Sequence, residues 1–473
     1  MFKYVIKRLV IFIPTLILIS VLTFALSKMT PGDPVKLALG NREQGESNGS
    51  NEKIAGEKAY REMAEQLGLT LPTFYLDFSN AATPDTLYKF IKKPERDNLE
   101  RLINEYGNWP QIEKYYQAIK KLDYAVVDAP QDSTTFEPGR LIRDDCGKLY
   151  MEYKDNLITI YLKEIKEAAH KSPNFSNVLL AVNDLEAAYG NIKATATPSK
   201  NYIPAIHWYG LKNQYHRWLT NFLKLDFGIS YIDKRPIWSK MKDALPWTLL
   251  VNFIVIILSY AIAIPLGVAS ARSKGSLGDR INTAILFIFY SLPTFWLATM
   301  LIIFTTTDEY GMNWFPTFGL GDVSPDMSWW DVFTERGYHL LLPLICLVPR
   351  SLAYLSRQMR GGVLSVFRQD YIRTARAKGL PENKVVWKHA FRNSLIPIIT
   401  LFAGIFPAMI GGAFIIEIIF SIPGMGRVAF EGLVARDYPM VFTVMMFSAI
   451  LTLIGTLVAD MMYAVVDPRI SFK

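Results

Sequence analysis

The stretch RQDYIRTARAKGLPENKVVWKHAFRNSLIPI, from Arg368 to Ile398, is a basic, uninterrupted block set between segments apolar enough to lie in a lipid bilayer. Gly379 suits the left-handed conformation that ends a helix, and Pro381 suits the first turn of the next, where its missing N–H costs nothing. Glu382 then stands where the helix dipole favours an anion. The spacing predicts two helices joined at Gly379-Leu380. In the second, Lys384, Lys388 and Arg392 recur at i, i+4, i+8 beside Val385, Val386, His389 and Ala390, a mixed face rather than a clean apolar stripe. A helix resting on anionic lipid needs a broad apolar face with bulky anchors, whereas this one has mainly valines and Trp387. A cytoplasmic protein partner suits it better.

The rest of the chain fits a membrane setting. Of 473 residues, 51% are hydrophobic and only 20% charged, with a net charge of +8. The basic residues cluster beside apolar runs, which the positive-inside rule explains without nucleic acid. Cys146 and Cys346 fall in very different segments, the second inside an apolar run, so no disulfide framework is expected.

A hydrocarbon core of about 30 Å needs roughly 20 mostly apolar residues per helix. Six windows qualify: about 9–28, 245–270, 281–305, 338–358, 395–420 and 440–466. The expected fold class is an all-α membrane protein with six transmembrane helices. Lys3, Lys7 and Arg8 before the first window, with Ala25 and Ser27 of cleavage-site size, also suit a signal peptide. The run LVIFIPTLILISVLTFAL is longer than a usual signal core, which favours a retained helix. If the six alternate, Lys3, Lys7, Arg8, Arg272, Lys274, Arg280, the block Arg357 to Arg392 and the tail VVDPRISFK share the cytoplasmic side. Both termini are then cytoplasmic, and 29–244, 306–337 and 421–439 lie outside. Trp247, Trp314, Trp329, Trp330 and Tyr338 fall near the outer interface, as an aromatic belt would.

Within 29–244 the polarity excludes crossing, and three stretches read as amphipathic helices: QIEKYYQAIKKLD from Gln111, NLITIYLKEIKEAAHK from Asn156 and FSNVLLAVNDLEAAYG from Phe175. NREQGESNGSN from Asn41 has linker composition.

The block Arg368 to Ile398 resembles the cytoplasmic loop of binding-protein-dependent ABC importer permeases. DYIRTARAKGL with HAFRNSLIPI is similar to the dipeptide and oligopeptide permease branch. MTPGDPV, QYHRWLTNFLKLDFGISY, IPLGVASA, SLPTFWL, SLAYLSRQMR, IIEIIFSIPGMGR, ARDYP and DMMYAVVDPRI resemble that branch in the same order. Arg373-Thr374 stand where a Glu-Ala pair is common in the wider family, and Phe391-Arg392 where Leu-Pro is. The resemblance implies the type I importer permease fold in three parts: a first helix 1–28, an extracytoplasmic region 29–244 and a permease core 245–473 with a coupling loop at about 368–394. A segment that is short in the family is replaced here by about 76–205, an inserted and mainly helical domain. It further implies that Thr374, Ala375, Ala377, Gly379, Leu380, Lys384, Lys388 and His389 meet an ATP-hydrolysing subunit. The implied partners are a second homologous permease, two ATP-binding subunits, an extracytoplasmic substrate-binding protein, a peptide substrate and the bilayer of a bacterial inner membrane.

No GxxxxGK[ST] occurs, so ATP and Mg belong to partner subunits and this chain is expected to bind no cofactor. No HExxH or paired-cysteine zinc spacing occurs either, so a metal reading has no anchor. Charges inside spans are costly unless paired or wetted. Glu417, Arg350 and Asp460 read as helix-to-helix pairs or interface contacts; alternatively Glu417 and Arg350, with Asn252, line the route of a zwitterionic peptide. Rival readings are a permease for nickel or another small solute, an ion-coupled transporter using Glu417 and Asp460 as proton sites, and a membrane sensor.

Overall fold

Residues 2–39, 50–130, 132, 134–310, 312–395, 398 and 414–466 are described by a computed structural model. Two compact units emerge, one of Met1–Met29 with Asp226–Lys473 and one of Thr30–Leu225.

Helix α1 (Phe2–Met29) opens the chain. The unit Thr30–Leu225 then holds α2 (Pro34–Leu39), α3 (Ser50–Gln66), β1 (Leu76–Asn80), α4 (Lys93–Tyr106), α5 (Trp109–Val127), α6 (Phe136–Leu149), α7 (Asp155–Ala169), α8 (Ser176–Ala194), β2 (Pro204–Trp208) and α9 (Gln214–Leu223). The three helices expected from periodicity are α5, α7 and α8. In α5, Ile112, Tyr115, Ile119, Leu122 and Val126 recur on one face, all buried against α6 and α8. What periodicity did not predict is the antiparallel ribbon β1–β2, with Leu76 opposite Trp208 and Asn80 opposite Pro204. It joins the two ends of the long segment between them, so the core built from the five helices α4 to α8 closes on itself through its own entry and exit strands.

The second unit continues with α10 (Ile237–Arg272), α11 (Leu277–Ser291), α12 (Thr294–Thr305), α13 (Trp329–Val366), α14 (Asp370–Ala377), α15 (Glu382–Lys384), a π-helical turn (Val385–Ala390), α16 (Phe391–Ser394), α17 (Phe414–Ile419), α18 (Met425–Val434) and α19 (Tyr438–Val466). Among the described residues four helices, within α1, α10, α13 and α19, are long and apolar enough to cross a membrane. The third expected window, 281–305, is not one helix: α11 and α12 meet at a 92° bend. Pro293 sits there as the cap of α12 and has no N–H to continue a ladder. The fourth window proves longer than 338–358, because Trp329–Val366 runs as one helix through Pro343 and Pro349. Most of the fifth window, with Pro397, Gly404, Pro407, Gly411 and Gly412, lies outside the described residues, as do most of the expected linker from Asn41 and residues 467–473 of the tail.

Helix α10 packs along α13, and Gly267 permits their approach: a Cβ there would stand 2.7 Å from the Ser356 carbonyl oxygen. Helix α1 packs on α19, where Asp460 receives Arg8 at 2.8 Å and the Tyr4 hydroxyl at 2.9 Å. Asp460 is therefore paired helix to helix. Cys146 and Cys346 are both buried, and neither takes part in a disulfide among the described residues.

Candidate functional site

The block that follows α13 folds as a helix, a left-handed turn and a second helical run. Gly379 takes φ +74°, as expected, and a Cβ there would meet open space, so conformation rather than crowding calls for glycine. Pro381 caps α15 from just outside its first turn instead of occupying it. Glu382, in that first turn, reaches back to Arg376 through two hydrogen bonds of 2.6 and 3.2 Å, which holds the two arms of the turn together.

One face of the block is sealed. Ile372, Ala375, Val385 and Ala390 pack with Val366, while Val386 joins Val268, Ala271, Met359 and Val363 from the ends of α10 and α13. Arg272 at the end of α10 donates to Asn383 Oδ1 at 2.8 Å. The opposite face is open: Thr374, Ala377, Gly379, Lys384 and Lys388 are exposed, and Trp387 is 49% exposed. Of the eight residues expected at the partner surface, Ala375 instead lies in the packed seam, and Leu380 and His389 are half-buried at its edge. The second run is also not uniformly α-helical. Val385–Ala390 form a π turn, so the face drawn for Lys384, Lys388 and Arg392 from i+4 spacing is rotated by the wider turn. Mixed polarity at 385–390 carried no signal of that widening.

The three residues considered for a translocation route do not form one cluster. Glu417 is 2% exposed. Its Oε1 accepts from the Thr248 hydroxyl at 2.9 Å and its Oε2 from the Arg427 N–H at 3.0 Å, at the first turn of α18. Thr248 Oγ1 accepts in turn from the Met425 N–H at 2.7 Å. The carboxylate thus ties α17, α10 and the start of α18 together, the helix-to-helix reading of this charge, with the dipole of α18 favouring the anion. Asn252 donates to the Thr248 carbonyl at 2.8 Å, one turn further along α10. Arg350 is exposed on α13 and shares no hydrogen bond with either.

A cluster that sequence reasoning missed sits beside the block. Asp279, 4% exposed at the start of α11, accepts from Arg360 of α13, from the Ser270 hydroxyl of α10 and from the Gly275 N–H. Ser276 caps α11 by accepting from the Asp279 N–H at 3.2 Å. The S-x-x-D spacing marks that helix start, but nothing local points to Arg360, 81 residues away.

Comparison with known proteins gives these features a setting. The model of the family described as binding-protein-dependent transport system inner membrane component matches residues 263–472. The chain is 40% identical over 272 residues to the oligopeptide transport system permease protein AppB of Bacillus subtilis, covering 56% of this chain and 84% of that protein. It is 33% identical to the dipeptide transport system permease protein DppB of Escherichia coli K12, covering 55% and 81%. The inner membrane ABC transporter permease protein YejB of Escherichia coli O157:H7 is also 33% identical, covering 56% and 75%. A solved structure titled inward facing conformations of the MetNI methionine ABC transporter matches 48% of this chain and 96% of its own at 18% identity, with a TM-score of 0.37, too loose for comparing geometry.

Proposed function

The chain belongs to the binding-protein-dependent transport system inner membrane components, the permeases of ABC importers, and from that premise we propose that it carries dipeptides or oligopeptides inward across the cytoplasmic membrane. The observation that carries the reading is the block Asp370–Ser394. One face is packed onto the ends of α10 and α13 and the other offers a rigid turn at Gly379 to a partner. ATP binding and hydrolysis take place on two separate subunits that grip this turn. A second homologous permease completes the pathway, and an extracytoplasmic binding protein delivers the peptide. With the basic loops and both termini in the cytoplasm, the unit Thr30–Leu225 stands outside, and about 76–205 is a domain inserted at the β1–β2 ribbon. Because Arg272 and Val386 join the block to α10, displacement of the turn is passed to the helices that bound the route.

The test is cross-linking in native membranes from single cysteines at Ala377 and Lys384, both exposed, with Cys146 and Cys346 replaced. Capture of an ATPase with a yield that changes with bound nucleotide is the expected result. Capture of lipid alone from folded protein, with peptide uptake that survives ATP depletion, would favour the ion-coupled rival.

A further inference from the structure

The ribbon β1–β2 turns bulky apolar side chains outward, beside an exposed Asp77 on its other face. Side chains alternate across a strand, so Leu76, Phe78, Ile206 and Trp208 share one face and Asp77, Ser79, Ala205 and His207 the other. The first face looks out of the unit: Phe78 is 74% exposed, Ile206 67% and Trp208 70%. On the second face, Ser79 Oγ and His207 Nε2 are shut off from water with no hydrogen-bond partner among the described residues. A ribbon meant to face water would carry these residues the other way round. Tyr202, 89% exposed, and Ile203 and Leu211, at 55% and 65%, extend the apolar surface along the chain on both sides of β2.

We propose that this face rests in the interfacial layer of the bilayer that the same chain crosses. Its chemistry is that of the lipid boundary: Trp208 and Tyr202 combine an apolar ring with a polar edge, Phe78 and Ile206 supply apolar bulk, and exposed Lys200 and Lys212 flank them with charge complementary to anionic headgroups. The chain itself brings membrane within reach. Met29 ends the apolar helix α1 one residue before this unit begins and 47 before Leu76, and between Trp208 and apolar α10 lie five residues, the ten of α9, about 15 Å of helix, and thirteen more. Burial of a few ångströms into the headgroup and acyl boundary suffices to cover side chains of this size.

The test uses the full chain in nanodiscs of phosphatidylethanolamine and phosphatidylglycerol, with Cys146 and Cys346 replaced and an environment-sensitive fluorophore on Phe78→Cys, Ile206→Cys or Tyr202→Cys. All three positions are exposed, so the label displaces no core, and Lys163→Cys on α7 is the control. The expected result is loss of most fluorescence when lipids carry an acyl-chain nitroxide, little quenching by aqueous iodide, and the reverse at the control. Iodide quenching at all three ribbon sites overturns the proposal. Protection from both quenchers also overturns it, and identifies protein as the cover.

Discussion

Arg360 grips the Asp279 carboxylate with two hydrogen bonds, Nε to Oδ1 at 3.0 Å and Nη2 to Oδ2 at 2.8 Å, and so fastens α13 to the start of α11. Ser270 adds α10 to the same carboxylate. The three helices are thereby joined at the end where the Gly379 block is seated. Arg360→Ala leaves a buried carboxylate with two of its donors gone, at a cost of about 1–3 kcal/mol. The expected outcome is a lowered melting temperature of the purified chain together with reduced peptide uptake. Asp279→Ala should lose stability to a similar extent, and the double variant should lose little more than either alone. Additive losses in that double-mutant cycle would show that the two residues do not act as a pair.

The turn at Gly379 gives a second prediction. At φ +74° with open space around it, Gly379→Ala suffers backbone strain alone, roughly 1–2 kcal/mol, while Gly379→Asn suffers less because asparagine tolerates the left-handed region. Transport and nucleotide-dependent cross-linking from Ala377 should therefore fall in the order Gly, Asn, Ala, with the melting temperature lowered in the same order by no more than that strain. Equal activity of all three would mean that the partner does not read the turn.

Ile372→Ala addresses the sealed side of the block. Ile372 is fully buried among Val366, Ala375 and Val385. Removing its side chain should cost about 2–5 kcal/mol, within the Ile→Ala range. Amide exchange across 370–394 should quicken while exchange in α5 and α8 is unchanged. If exchange across the block stays as slow as before, the block is not held by this seam.

Much of this arrangement is legible in the sequence because it is local. The left-handed end at Gly379 follows from a glycine and a proline two residues apart, and α5 from apolar residues recurring every three or four positions. The bend at Pro293 is half legible: a proline inside a window marks a break, but a 92° turn depends on what α12 packs against. Asp279–Arg360, the β1–β2 pairing and Thr248–Glu417 join residues 81, 124 to 132 and 169 apart, and no spacing rule spans such separations. The π turn is hidden for another reason, since an added residue in a helical turn changes no residue type.

Thr248 and Glu417 allow the two readings of a membrane carboxylate to be separated. If Glu417 acts by holding α18 to α10, Glu417→Gln, which keeps an oxygen for the Arg427 N–H but replaces the anion at the start of α18 with a neutral amide that must donate to the Thr248 hydroxyl, costs about 1–2 kcal/mol. Thr248→Val then lowers the melting temperature alike, since the Met425 N–H loses its acceptor. A Glu417→Gln chain with unchanged melting temperature and impaired peptide uptake would instead assign the carboxylate to the route.

In the unit Thr30–Leu225, Glu57 supplies a pH dependence. Burial raises its carboxyl pKa, but the hydroxyl of Tyr124 and the ammonium of Lys120 at 3.2 Å more than offset this, leaving it below its ordinary value of 4.5. Since the folded value is depressed, its stabilisation is present above the unfolded value and is lost as pH falls through the folded one. Amide exchange in α3 and α5 of the full chain should accordingly quicken as pH drops below about 4.5, after correction for intrinsic exchange. Glu57→Gln should exchange faster than the wild type at pH 7 and approach it in acid. A variant that tracks the wild type at every pH would show that the carboxylate does not clamp α3 to α5.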